Sequence, residues 1–174
     1  VLGSELSVFG FNLDFAPVAD TNTNPKNIVI GDRSFGRDPT LVANMVAAEI
    51  AGLHKVGIMS CVKHFPGHGD TKGDTHKGYV SLEKTWDELK QCELIPFLKS
   101  LDTTDMVMVS HITTPNITSD HLPASLSRQM IAGKLRKKLG YKGVVITDSM
   151  EMGAIAQAYS AKNGAIKAIL AGAD

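Results

Sequence analysis

The chain has 174 residues, enough for one ordinary domain with a sizeable core. Hydrophobic residues make up 43% and charged residues 21%, and 18 Lys plus Arg balance 18 Asp plus Glu. That zero net charge argues against a nucleic-acid surface or an acidic tail, and no apolar run reaches the roughly 18 residues that span a bilayer. Cys61 and Cys92 give neither a disulfide framework nor a metal spacing and read as two buried thiols.

Val1 to Gly10 reads as the end of a helix, with Leu2, Leu6 and Phe9 at helical spacing and Gly10 as its stop. Phe11 to Asp20 alternates like a strand, with Pro17 near its end, and Thr21 to Asp38 is a long loop containing Gly31-Asp-Arg-Ser-Phe-Gly36. Pro39 starts a helix whose apolar stripe is Val42, Met45, Val46, Ile50 and Leu53, and Gly57 ends it. Ile58 to Val62 is a short buried strand that delivers Lys63 and His64 into a polar, glycine-rich loop running to Gly78. Thr85 caps a helix to about Leu98, in which Pro96 predicts a kink or break. Met106 to Ile112 is a third strand. Leu126 to Leu139 is a helix capped by Ser125 or Ser127. Gly143 to Ser149 is a fourth strand, followed by helical residues through Ala171. No signal peptide is visible, but the chain opens on Val1 and closes on what reads as the entry to another strand, so both ends read as cut and the compartment stays open.

The alternation of strands and helices, with near-continuously apolar strands, predicts an α/β fold with a parallel sheet covered on both faces. Every strand ends on polar groups: Asp20, Lys63-His64, Ser110-His111 and Asp148. Sites at the carboxyl ends of strands belong to (β/α) barrels and to open doubly wound sheets alike. A barrel needs eight strands; about four βα units make this part of one.

Several residues carry two readings. Asp148 at a strand end is a catalytic carboxylate or a helix N-cap. Asp74 and His76, two apart in an extended loop, are an aspartate-oriented acid/base histidine or solvated loop polarity. His64, His68 and His76 could meet a metal, although Pro66 and Gly67 rule against a helical ligand face. The loop glycines miss the dinucleotide spacing. Arg33 is a cation for hydroxyls or carboxylates, or a surface ion-pair partner. His111 lines the site or closes its strand.

Five segments together resemble family 3 glycoside hydrolases, specifically the bacterial β-N-acetylglucosaminidases: Ala16-Pro-Val-Ala-Asp20, Gly31-Asp-Arg-Ser-Phe35, Lys63-His-Phe-Pro-Gly-His-Gly69, Asp74-Thr-His76 and Ile146-Thr-Asp-Ser-Met-Glu-Met-Gly153. The resemblance implies a partial TIM-like barrel as a single catalytic domain over residues 1–174, and a retaining mechanism with Asp148 as nucleophile. It implies His76, oriented by Asp74 on a swinging loop, as acid/base in place of the usual second carboxylic acid. Lys63, His64, Arg33, Asp20 and His111 are then expected around the sugar. The implied substrate is terminal β-linked N-acetylglucosamine on peptidoglycan fragments, with no metal or organic cofactor. The open sheet edges imply self-association and weak activity in isolation. Another family 3 activity, hydrolytic on glucosides or phosphorolytic, and a non-catalytic sugar-binding fragment are the alternatives.

Overall fold

A computed structural model describes residues 1–73 and 78–174. In chain order it contains α1 (Leu2–Val8), a 3-10 turn (Gly31–Arg33), α2 (Pro39–His54), β1 (Cys61–Phe65), β2 (Val80–Ser81), α3 (Trp86–Gln91), α4 (Leu94–Ser100), β3 (Met106–Val109) and β4 (Ile112–Thr113). A second 3-10 turn (Ala124–Leu126), a π-wound helix (Gln129–Lys138), β5 (Val144–Thr147), α5 (Gly153–Ala156) and α6 (Ala161–Ala171) complete it.

Strands β1, β3 and β5 form a parallel sheet in that order. The expected first strand lies parallel beside β1, bridging Leu13 to Met59 and Val18 to Lys63. Pro17 has no N–H to give, so this pairing stays a set of bridges. Its carbonyl still accepts from Lys63 N at 3.1 Å. Each described strand of this sheet thus neighbours the one before it in sequence. A doubly wound sheet reverses its order; a barrel winds on in one direction, as here.

Val62, Phe65, Val107, Val109 and Val145 form the helix-facing side of the sheet and are fully buried. They pack with Val46, Ile50, Leu89, Leu94, Phe97, Ile131 and Leu135 in one core. The other side is covered in part: Cys61 and Met108 are buried there, whereas Val144 at the start of β5 is 40% exposed.

Local chemistry explains most element ends. Asp38 Oδ1 accepts from Thr40 N and Leu41 N at 2.7 and 3.1 Å and caps α2, with Pro39 in its first turn. Val42, Val46, Ile50 and Leu53 are its buried stripe, but Met45 faces solvent and Ala43 takes the buried place. Thr85 and Glu88 form a reciprocal capping box on α3. The break in this helix falls at Cys92, four residues before Pro96, which leaves the proline in the first turn of α4, where its missing N–H is tolerated. The next helix starts three residues later than expected, with Arg128 at its N-cap position and neither serine there; Ser127 Oγ, one residue ahead, accepts from Met130 N at 3.1 Å. In α1 the expected stripe is uncovered: Leu2 and Phe9 are exposed. Cys61 is buried, its thiol pushed up to about 12 by burial, whereas Cys92 is only half-buried.

Candidate active site

The strand carrying Lys63 and His64 is shifted from its expected span: both residues lie inside β1, not beyond it. Successive strand residues normally point to opposite faces. The β1–β3 register slips between Val62 and Phe65, and with that irregularity both Lys63 and His64 line one cleft.

Asp20 is the hub beneath them. It is fully buried. Its Oδ2 accepts from His64 N at 3.2 Å and His64 Nδ1 at 2.7 Å, and its Oδ1 from His68 N at 2.6 Å. Burial is the largest influence and pushes the carboxyl up. The charge and hydrogen bond of His64, with the charge and backbone N–H of His68, outweigh it and hold Asp20 below the usual range. An ionised carboxylate only accepts, so His64 carries its proton on Nδ1 and a neutral ring keeps Nε2 as an acceptor. The expectation that Asp20 binds sugar is corrected: a side chain with no exposed surface anchors the site rather than touching a ligand.

The loop after β1 is equally unlike a free polar loop. Residues 64–69 and Thr71 are buried. A Cβ on Gly69 would stand 1.9 Å from the Thr21 carbonyl oxygen, and one on Gly67 (φ 120°) 2.7 Å from Glu93 Cβ. These glycines permit close approach, not swinging. Asn27 binds the loop with Nδ2 on the His68 carbonyl at 2.7 Å, while its Oδ1 accepts from Val29 N and Ile30 N at 3.0 and 2.9 Å. That turn feeds the Gly31–Arg33 segment, and Arg33 reaches the cleft with Nη2 on its own Val29 carbonyl at 2.8 Å. Lys84 pins the far side, with Nζ 2.5 Å from buried Glu93 and 3.1 Å from Asp70.

Asp148 follows β5 into the same cleft. Its N–H donates to the Val109 carbonyl at 2.9 Å, and its Oδ1 accepts from Ser149 N at 2.8 Å. Helix α5 starts only at Gly153, with Met152 at its N-cap, so the capping alternative for Asp148 is gone. The cleft, about 200 Å³, brings Arg33, Lys63, His64, His68 and Asp148 together with Phe15, Met108 and Met152. Asp148 is the one carboxylate among its described lining residues.

His68 lines this cleft, a place sequence reasoning did not assign it. It is buried, with Nδ1 2.7 Å from Thr71 Oγ1. Burial, its largest influence, lowers its basicity, against the opposing charges of Asp20 and Asp148. His111 stands apart: it is fully buried, with Nδ1 2.7 Å from Ser125 Oγ and Nε2 2.8 Å from the Ser149 carbonyl oxygen. The expectation of direct sugar contact gives way to a supporting place behind Asp148. Asp74 and His76 lie outside the described residues. Among the described residues no group of three His, Cys, Asp or Glu has metal-binding geometry.

A parallel sheet that winds on in one direction, with its polar strand ends gathered on one cleft, has the architecture of a (β/α) barrel. The chain belongs to glycosyl hydrolase family 3: the family's N-terminal domain matches residues 1–174. It is 37% identical, over its full length, to a β-hexosaminidase of Chromobacterium violaceum, covering 48% of that protein. Among solved structures it is similar to a family 3 β-N-acetylglucosaminidase from Paenibacillus sp. (43% identity, TM-score 0.98, all of this chain and 33% of that one). It is also similar to the β-glucoside phosphorylase BglX (27% identity, TM-score 0.94, 99% of this chain and 33% of that one). The chain spans about a third to a half of the length of the curated relatives it matches.

Proposed function

We propose that the chain is the catalytic part of a retaining glycosidase that removes terminal β-linked N-acetylglucosamine, with peptidoglycan fragments as its substrate class. The observation that carries this reading is the single carboxylate in the described cleft lining. Retaining glycosidases commonly set two carboxyl groups about 5–5.5 Å apart, one as nucleophile and one as acid/base. Here Asp20, which holds His64 and His68 beneath the cleft, is buried, with both oxygens bonded to those two residues. Asp148 is therefore the nucleophile, and the proton transfers fall to His76, oriented by Asp74, on the segment that follows the pinned loop.

In the first step an Asp148 oxygen attacks the anomeric carbon as its bond to the leaving oxygen breaks, and His76 gives that oxygen a proton. In the second, His76 takes a proton from water, which attacks the glycosyl ester and restores Asp148. Arg33 and Lys63 bring cations to sugar oxygens, and His64 Nε2 accepts from a hydroxyl. Residues 1–174 act as one domain in this reading. The exposed apolar residues of α1 and α6 support self-association, which sedimentation would read as a dimer.

The first test is chromophore release from an aryl β-N-acetylglucosaminide by the protein and by Asp148→Asn, expected to lose on the order of 10⁴-fold or more in kcat. Equal turnover by both would sink the nucleophile assignment. A second reading, phosphorolysis, is favoured by the lone carboxylate, since a phosphate dianion meets no second negative group in the described lining. A sugar 1-phosphate formed when inorganic phosphate is added would establish it over hydrolysis.

A further inference from the structure

Asp148 is held from behind by a histidine that the reaction itself does not use. His111 follows β3 and has no exposed surface. Its Nε2 lies 2.8 Å from the Ser149 carbonyl oxygen. A carbonyl only accepts, so Nε2 carries a proton. The hydroxyl of buried Ser125 lies 2.7 Å from Nδ1 and holds the other side of the ring. Ser125 is itself tied down by its N–H on the Ser110 carbonyl at 3.0 Å, and Ser110 by its N–H on the Phe65 carbonyl at 2.9 Å. The Ser125–His111 pair thus rests on the ends of β1 and β3 and reaches across to the residue after β5.

That residue touches the nucleophile. Ser149 N–H donates to Asp148 Oδ1 at 2.8 Å, and Asp148 N–H is held by the Val109 carbonyl at 2.9 Å. With the peptide groups before Asp148 and after Ser149 both held, the Ser149 N–H between them occupies one carboxylate oxygen and the other is left for the cleft. We propose that His111 is a positioning residue for Asp148: its Nε2–H holds the Ser149 carbonyl, which sets the Ser149 N–H on Oδ1 and reserves Oδ2 for attack. Its importance to turnover rests on the glycosidase reading; the positioning itself does not.

The experiment separates the two. Gln places an amide N–H near the position of imidazole Nε2, whereas Asn reaches only to the position of Nδ1. In the isotope-labelled chain, His111→Asn is expected to raise amide exchange at Ser149 by ~10-fold or more while the Val107 and Val145 amides of the sheet keep their protection. His111→Gln is expected to restore protection at Ser149. With an aryl β-N-acetylglucosaminide, His111→Asn is expected to lose ~100-fold in kcat with KM changed only a few-fold, as for a small misplacement of a reacting group, and His111→Gln to recover most of it. Ser125→Ala should fall between, since it removes only the hydroxyl that supports the ring.

An unchanged Ser149 amide in His111→Asn, equal impairment in Gln and Asn, or loss of protection across the whole sheet would overturn the proposal. If the amides respond as expected in a chain whose wild type has no turnover, the positioning of Asp148 stands and the reaction assigned to it falls.

Discussion

Two His–Asp pairs of equal length sit at opposite ends of the sheet. His64 Nδ1 and Asp20 Oδ2 are 2.7 Å apart at the carboxyl ends of the strands, and His54 Nε2 and Asp105 Oδ2 are 2.7 Å apart at the amino ends. Their surroundings differ. The side chains of the first pair are 7% and 0% exposed, those of the second 38% and 35%. Asp20 spends both oxygens on His64 and His68 and leaves an imidazole nitrogen facing a cleft. Asp105 spends Oδ2 on His54 and on the N–H and hydroxyl of Ser60, at 2.8 and 3.1 Å, and so ties α2 to the starts of β1 and β3.

The second cluster also contains the residue types of a hydrolytic triad, and its geometry denies that role. Ser60 Oγ meets His54 at Nε2, 3.4 Å away, the same nitrogen that Asp105 takes. A triad needs the acid and the nucleophile on different ring nitrogens. Pair length therefore says little by itself; burial and the remaining lone pairs decide what a His–Asp pair does.

Substitutions at the two ends should break this comparison unequally. The largest effect is expected for Asp20→Asn, which strips the partner from a buried, charged hub and should cost about 3–5 kcal/mol in denaturant unfolding. A loss below about 1 kcal/mol would mean that the hub is not the anchor of the cleft. Gly69→Ala comes next. Its Cβ meets backbone rather than a movable side chain, so about 2 kcal/mol is expected, with weakened substrate binding as the loop is displaced. At the amino end His54→Ala should cost less than about 1 kcal/mol, because water screens a pair this exposed, and should leave turnover unchanged.

Acid should sharpen the same contrast. His68 is held below its ordinary value of 6.5, chiefly by burial, so its contribution to stability is complete above that pH and is lost as pH falls below it. Asp105 is also held low: burial raises it, but the Ser60 and His54 hydrogen bonds prevail, so its contribution is lost only as pH falls below 3.8. Unfolding measured between pH 7 and 5 should lose stability in the wild type and less so in His68→Gln, while Asp105→Asn leaves that slope unchanged. A slope that His68→Gln does not alter would show that the imidazole is not the group being protonated.

The chain order of strands and helices, the helix start at Pro39, the cap at Thr85 and the placing of Asp148 just after its strand were legible without a structure. Each is set by neighbours within a few residues: a hydrophobic period, a capping oxygen, a proline that cannot continue a helix. The resemblance to family 3 rested on motifs of the same local kind. What no local pattern contains is a partner distant in the chain. Asp20 meets His64 44 residues on, and His111 meets Ser149 38 residues on. In sequence, a buried anchoring carboxylate and a sugar-binding one look the same, as do a swinging glycine and one pressed against Thr21. Tertiary structure alone decided these, because desolvation and the number of unspent lone pairs depend on what the rest of the fold places around each group.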